Sequence, residues 1–325
     1  MQYKPLGRTG LTVSVAGLGC GGNSRLGLGR GKTEAEAIAV VQAARDLGVT
    51  HFDTAEAYGT EHILGAALSR ADRANVVIST KSRIMKSGTR MTAAEIIANL
   101  DASLKRLGTD CVDVFLFHGV SPSQYHWVRD ELAPPLLAEK AKGKFHHLGL
   151  SETSPNDPNQ IMLGQALDDP IWEVVMLGFH MLNQGAKRDI FPRTAAQGVG
   201  TLLMFVVRNI FSRPGLLTET VRALAAEGQL PSEFAKDDGP LDFLLHPGGA
   251  ATLLDAAYRF ARHQPGADVV LFGTSDIGHM TSNIASILAP PLPATDLDRL
   301  ARVFGHLRGV GLDLPDNLQS LPTRG

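Results

Sequence analysis

Ala16-Gly17-Leu18-Gly19-Cys20 and Thr50-His51-Phe52-Asp53-Thr54 are two short strand-like runs, and the segment between them sets the fold. Thr33, followed three residues later by Glu36, has the spacing of a helix-opening capping box. Ala37, Val40, Val41, Ala44 and Leu47 then recur at helical spacing until Gly48 stops the helix. Residues 16–54 therefore read as strand, helix, strand. The unit repeats downstream, with strands expected at 75–80, 112–117, 145–150, 172–177, 200–207 and 268–272. Helices are expected at 62–70, from a second capping box at Thr92 and Glu95 to about Gly108, and then at 132–142 (entered through Pro134-Pro135), 159–167, 186–197 and 277–288.

Eight strands alternating with helices predict a parallel sheet with right-handed crossovers. An open doubly wound sheet remains an alternative. The count of eight and the continuous apolar strands favour the closed (β/α)8 TIM barrel, an α/β fold. Residues 3–13 carry Gly7-Arg8-Thr9-Gly10 between strand-like pieces, the pattern of a β-hairpin. An insertion at about 209–249 holds one helix near 217–227, and a Pro-rich tail from about 290 to 325 is expected to wrap the surface. The expected organisation is one domain over residues 1–325.

Composition narrows the class of function. The chain has 325 residues, 44% of them hydrophobic and 20% charged, with a net charge of −2, which excludes a disordered chain and opposes nucleic acid as a partner. Cys20 and Cys111 are too few for a disulfide framework or a thiolate metal cage, and a reducing, cytoplasmic setting is the simplest reading. Met1-Gln2-Tyr3-Lys4-Pro5 lacks the apolar core of a signal peptide, and no apolar run reaches the roughly 20 residues of a membrane span. His146-His147, His180 and His246 do not fall into a metal-ligand spacing, so no metal is expected. The sequence sets no oligomeric state.

Barrel enzymes carry their chemistry at the C-terminal ends of strands. Three consecutive strands here end in Asp53-Thr54, Thr80-Lys81 and His118-Gly119, with Tyr58 following Asp53 in the loop. Taken singly, Asp53 reads equally as a turn former, Lys81 as a solvated charge and His118 as an interior histidine. Together they suit proton transfer. A tyrosine keeps its proton at neutral pH, a nearby lysine lowers its pKa, and a carboxylate orients that lysine. His118 is placed to hydrogen-bond a carbonyl. The set suits reduction of a carbonyl to an alcohol, whose hydride must come from a cofactor.

Phe52-Asp53-Thr54-Ala55-Glu56-Ala57-Tyr58-Gly59, Ser79-Thr80-Lys81, Leu116-Phe117-His118-Gly119 and residues 104–113 resemble the aldo-keto reductase family. The resemblance runs from Pro5 to about Ile287. It implies an NAD(P)-dependent oxidoreductase that moves a hydride between a nicotinamide and an aldehyde, ketone or sugar-like carbonyl/alcohol pair. Tyr58 would be general acid, assisted by Lys81 and Asp53, with His118 orienting the substrate and the hairpin closing the barrel bottom. The adenosine phosphate would lie on Gly273, Thr274, Ser275 and His279, with Asn283 at the adenine, and backbone amides and hydroxyls at a helix start suit such an anion. The resemblance implies NADP(H) as the expected cofactor; where the family often has arginine this chain has His279, with Asp276 nearby, which leaves less fixed positive charge for a 2′-phosphate and makes NAD(H) the alternative. Cys20 and Gly21, Asp53, Ser151 and Phe205 complete the expected cofactor contacts, glycine permitting close approach. Glu152, Met176 and Met204 stand where the family usually has amide or aromatic partners for the nicotinamide. Two rivals follow from the residues: a non-catalytic, cofactor-sensing or interaction protein on the same barrel, and a lyase or isomerase using Lys81 as a Schiff-base amine.

Overall fold

The computed structural model describes residues 1–68 and 70–313. Residues 314–325 of the expected tail lie outside the described residues. Strands β1 (Tyr3–Pro5) and β2 (Thr12–Ser14) pair antiparallel as the N-terminal hairpin. The barrel strands are β3 (Ala16–Gly19), β4 (His51–Asp53), β5 (Val77–Arg83), then, after the small hairpin of β6 (Met85–Lys86) and β7 (Thr89–Arg90), β8 (Val112–Val120), β9 (Phe145–Glu152), β10 (Val174–Gly178), β11 (Gly200–Met204) and β12 (Val269–Phe272). They close in the order β10-β11-β12-β3-β4-β5-β8-β9, every pair parallel. The expected (β/α)8 barrel with its N-terminal hairpin is the fold observed.

Two apolar layers hold it. Val77, Val114, Leu116, Val174, Met176, Leu202 and Val269 point inward and fill the barrel, and Leu6 and Val13 of the hairpin segment belong to the same cluster, so the hairpin plugs the bottom. The alternate residues of the strands pack outward against the helices. Gly7 (φ +50) lies so close to Gly198 that a Cβ would sit 2.4 Å from its carbonyl oxygen, which makes glycine necessary where the hairpin meets the barrel. Both predicted capping boxes form: Thr33 with Glu36 opens the helix Glu34–Asp46, and Thr92 with Glu95 opens the helix Ala93–Leu107.

Several expectations need correction. Strands β5 and β8 run past their expected ends because they pair as far as Arg83 with His118, so Lys81 and His118 stand inside strands. The seventh barrel strand stops at Met204, short of 207, because Phe205 turns into the left-handed region at φ +64. The helix expected at 132–142 begins earlier. It runs from Tyr125 through a π-helical segment, Val128–Leu132, into Ala133–Ala141. Pro134 and Pro135 cannot donate one turn back, and the widened turn accommodates them without breaking the helix. The tail is not irregular throughout: Ala294–Phe304 is a helix, with Leu300 and Phe304 buried and the Phe304 ring 5.7 Å from Phe234 of the insertion. The insertion carries a second helix, Asn209–Ser212, besides Leu216–Ala226.

Candidate active site

The site is built on β4, β5 and β8, adjacent in the barrel. Register brings Asp53 opposite Ser79, and side chains two apart on a strand share a face, so Lys81 stands one step above Ser79 on the inner side. Lys81 Nζ reaches Asp53 Oδ1 at 2.6 Å, Oδ2 at 2.7 Å and the Thr54 carbonyl at 2.7 Å. Ser79 Oγ donates to Asp53 Oδ1 at 2.6 Å. The lysine is fully buried and the aspartate nearly so, so each charge is met by the other and by fixed dipoles. The outward-facing Thr80 secures this strand from behind. Its hydroxyl donates to the buried Glu61, which also holds Arg106.

Tyr58 closes the cluster. Ala55 leads into a short 3-10 turn, Glu56–Tyr58, ended by Gly59 at φ +68. The phenol lies 3.4 Å from His118 Nε2, the two rings meet edge to face, and Lys81 Nζ is 5.2 Å from the Tyr58 ring centroid. Burial and the Asp53 carboxylate push the Tyr58 phenol well above its usual range. The net lowering by Lys81 expected from sequence is absent here, because burial dominates and the Asp53 carboxylate adds to it. Burial, with Lys81 and Arg83 nearby, lowers His118 to about 3, so the imidazole is neutral at pH 7. His118 Nδ1 is buried with no partner among the described residues.

Gly21 faces the ring. A Cβ there would lie 2.6 Å from Tyr58 Cε2, 2.7 Å from Cζ and 2.8 Å from Cδ2. Gly21→Ala is therefore expected to displace the phenol and lower kcat by about 10²-fold, the scale of a misplaced reacting group, while the fold persists. Steady-state kinetics with a circular dichroism control measures this. Wild-type kcat in the variant would mean that the ring position is unimportant.

The remaining expected contacts fall in three places. The Cys20 thiol is fully buried, directed at the Leu18 carbonyl 3.7 Å away and part of the outer core, although its amide donates to the Asp53 carbonyl. Ser151 is buried opposite Met176, which fills the barrel interior, and Phe205 lies half-buried under the Arg208 guanidinium at 4.6 Å. Gly273, Thr274, Ser275, His279 and Asn283 follow β12, where Asp276 caps the helix Ile277–Leu288 by accepting from the His279 amide at 2.8 Å. Gly19 and Gly273 end neighbouring strands side by side without side chains. Lys32, on another loop, donates to the Ser275 carbonyl at 2.6 Å. No periodicity marks Lys32 in the sequence. The same holds for Arg83, whose guanidinium is held by Glu56 at 2.8 Å on the rim beside His118.

Glu152 is buried where β9 ends beside β10, its Oε1 accepting from Ser154 Oγ at 2.6 Å and the Gly178 amide at 2.7 Å, with Gln160 close by. Burial raises its carboxyl to about 7 against an unfolded value of 4.5. A raised folded value favours the protonated form, so this contribution is complete below the unfolded value and is lost as pH rises through about 7. Glu152→Gln is expected to flatten the decline in stability between about pH 5 and 8, recovering on the order of 3 kcal/mol at the upper end. Urea unfolding at both pH values reads it, and an unchanged pH slope would count against the assignment.

The sequence profile of the Aldo/keto reductase family matches residues 17–304. The chain belongs to the aldo/keto reductase family. An L-galactose dehydrogenase of Arabidopsis thaliana is 26% identical over 324 residues, 95% of either chain. Aldo-keto reductase YhdN of Bacillus subtilis (strain 168) is 27% identical over 307 residues, covering 86% of this chain and 87% of its own. A solved structure described as an aldo-keto reductase of Pseudomonas aeruginosa superposes with a TM-score of 0.62 at 27% identity, over 88% of this chain and 94% of that one. This aldo-keto reductase is thus an oxidoreductase by family, and the family draws on nicotinamide cofactors. Among the described residues, no helix is long and apolar enough to cross a membrane, and no group of three or more His, Cys, Asp or Glu side chains is placed to hold a metal.

Proposed function

We propose that this protein is a cytoplasmic, single-domain NAD(P)-dependent oxidoreductase acting on a small aldehyde, ketone or sugar-like carbonyl/alcohol pair, with Tyr58 as general acid and base. The observation that carries this reading is the convergence of the Lys81–Asp53 pair, Tyr58 and His118 at the C-terminal parts of three neighbouring strands and the loop after β4. The residues present fit a dinucleotide. Glycines 19 and 273 leave two neighbouring strand ends bare, and the loop after β12, braced by the Thr274 hydroxyl on the Asp276 backbone, leads straight into the N-terminus of the helix Ile277–Leu288, where an anion is favoured; Ser151 and Phe205 are the residues proposed to meet the nicotinamide.

A bound nicotinamide supplies or accepts the hydride. Tyr58, kept protonated by burial, donates its proton to the carbonyl oxygen as negative charge develops there. Neutral His118 offers that oxygen a hydrogen bond from Nε2–H, its second nitrogen being buried and unengaged. Lys81 stabilises the tyrosinate left behind, and Asp53 with Ser79 keeps the ammonium in place. In oxidation the same groups act in reverse. The sugar-like substrate is supported by the name of the Arabidopsis relative and by the Arg83–Glu56 pair, whose exposed guanidinium offers donors to hydroxyl or carbonyl oxygens.

The test is NADPH and NADH oxidation over a panel of aldehydes, ketones and sugars. Turnover on some member is expected. Tight cofactor binding with no turnover on any would replace this reading with the cofactor-sensing one, and borohydride trapping of substrate on Lys81 would replace it with a Schiff-base lyase.

A further inference from the structure

We infer that Lys32 is the cation that receives the phosphate monoester on the adenosine ribose, and that it gives this protein its preference for NADP(H) over NAD(H). The inference rests on the proposed cofactor site.

The loop after β3 is wound tightly. Gly27 and Gly29 both donate to the Ser24 carbonyl, and Arg25 and Leu26 adopt left-handed φ values of 41° and 60°. Leu26 is fully buried and anchors the coil to the core. The coil ends on Lys32, whose amide donates to the Gly27 carbonyl and whose aliphatic stem lies over Gly27 so closely that a Cβ there would be 2.6 Å from Lys32 Cδ. The ammonium is thereby held across the barrel seam, 2.6 Å from the Ser275 carbonyl.

The two ends of this loop touch the two ends of the site. Gly21 abuts the Tyr58 ring, and Lys32 abuts the loop that leads into the helix carrying Asn283. With the reacting carbons at Tyr58, a cation at the second end falls to the adenosine half of the proposed site. The charges on the helix side do not replace it. His279 is exposed, and Asp276 spends one carboxylate oxygen capping the helix, its carboxyl held low by the His279 amide and, among other charges, by Lys32. Lys32, held beside this loop, therefore supplies the fixed positive charge that a dianionic ribose phosphate requires.

Adenosine 2′,5′-bisphosphate and 5′-AMP are the probes, titrated calorimetrically into wild type, Lys32→Met and Lys32→Arg without substrate or nicotinamide. Wild type is expected to bind the bisphosphate more tightly than 5′-AMP. Lys32→Met, which keeps the stem over Gly27, should weaken the bisphosphate by about 10- to 100-fold and 5′-AMP by no more than about threefold, the loss expected for a charge-assisted hydrogen bond. Lys32→Arg should retain most of the preference. Equal weakening of both nucleotides, no weakening of either, or a wild type that does not distinguish them overturns the role of Lys32 while leaving the cofactor site standing. A wild type that binds neither nucleotide nor NADPH overturns the proposed function as well.

Discussion

Tyr58→Phe lowers kcat/KM for carbonyl reduction by about 10²- to 10⁴-fold, the range of a lost general acid, and leaves cofactor affinity and unfolding midpoint near wild type. The substitution removes one oxygen whose only hydrogen-bond neighbour among the described residues is His118 Nε2 at 3.4 Å, so little packing is lost. The pH profile carries a second expectation. Tyr58 is pushed up and His118 down to about 3, so neither group changes charge between about pH 5 and 9, and kcat/KM for reduction should be level across that window. Full activity in the phenylalanine variant would remove Tyr58 from the mechanism. An acid limb near pH 6.5 that disappears in a His118 variant would show an imidazolium at work instead.

The second large effect is on the buried ion pair. Lys81→Met leaves the Asp53 carboxylate buried with Ser79 as its only remaining side-chain donor among the described residues. Removing one partner of a buried pair costs about 3–5 kcal/mol, and the loss of a charge-stabilising donor should lower kcat by about 10²- to 10³-fold. Asp53→Asn strands the lysine in the same way. The double variant Lys81→Met/Asp53→Asn removes both charges and is expected to regain most of the stability while remaining as inactive as Lys81→Met. Denaturant unfolding and kinetics on the four proteins of this cycle separate the two effects. If the double variant is as unstable as the sum of the singles, the pair is not the coupled unit that the 2.6 Å and 2.7 Å contacts describe. If it is active, Lys81 is not needed to stabilise a tyrosinate.

The barrel was legible because its signals are local and repeat. Threonines at 33 and 92 with glutamates three residues later became capping boxes, and Gly48 and Gly108 ended the helices they followed. The hairpin around Gly7-Arg8-Thr9-Gly10 was marked by turn residues alone. Boundaries were less legible where pairing decides them. Nothing in residues 81–83 says that β5 continues, since its continuation depends on β8 lying beside it. The tail helix was masked by Pro290, Pro291 and Pro293, which stand before its first turn.

The candidate site divides in the same way. Sequence alone determined which residue types stand in the C-terminal parts of three neighbouring strands, because strand order in a parallel barrel follows chain order and alternation fixes the inner face. Asp53, Tyr58, Lys81 and His118 could therefore be named without a structure. Only the tertiary structure decided the charge state of that group and its surroundings. Burial first, then the Asp53 carboxylate for Tyr58 and the Lys81 cation for His118, set the direction of the two shifts, and sequence distance carries no information about either. It likewise brought Lys32 to Ser275 and Glu152 to the Gly178 amide. Those contacts join segments that meet only when the sheet closes, so their energies do not exist until the barrel does.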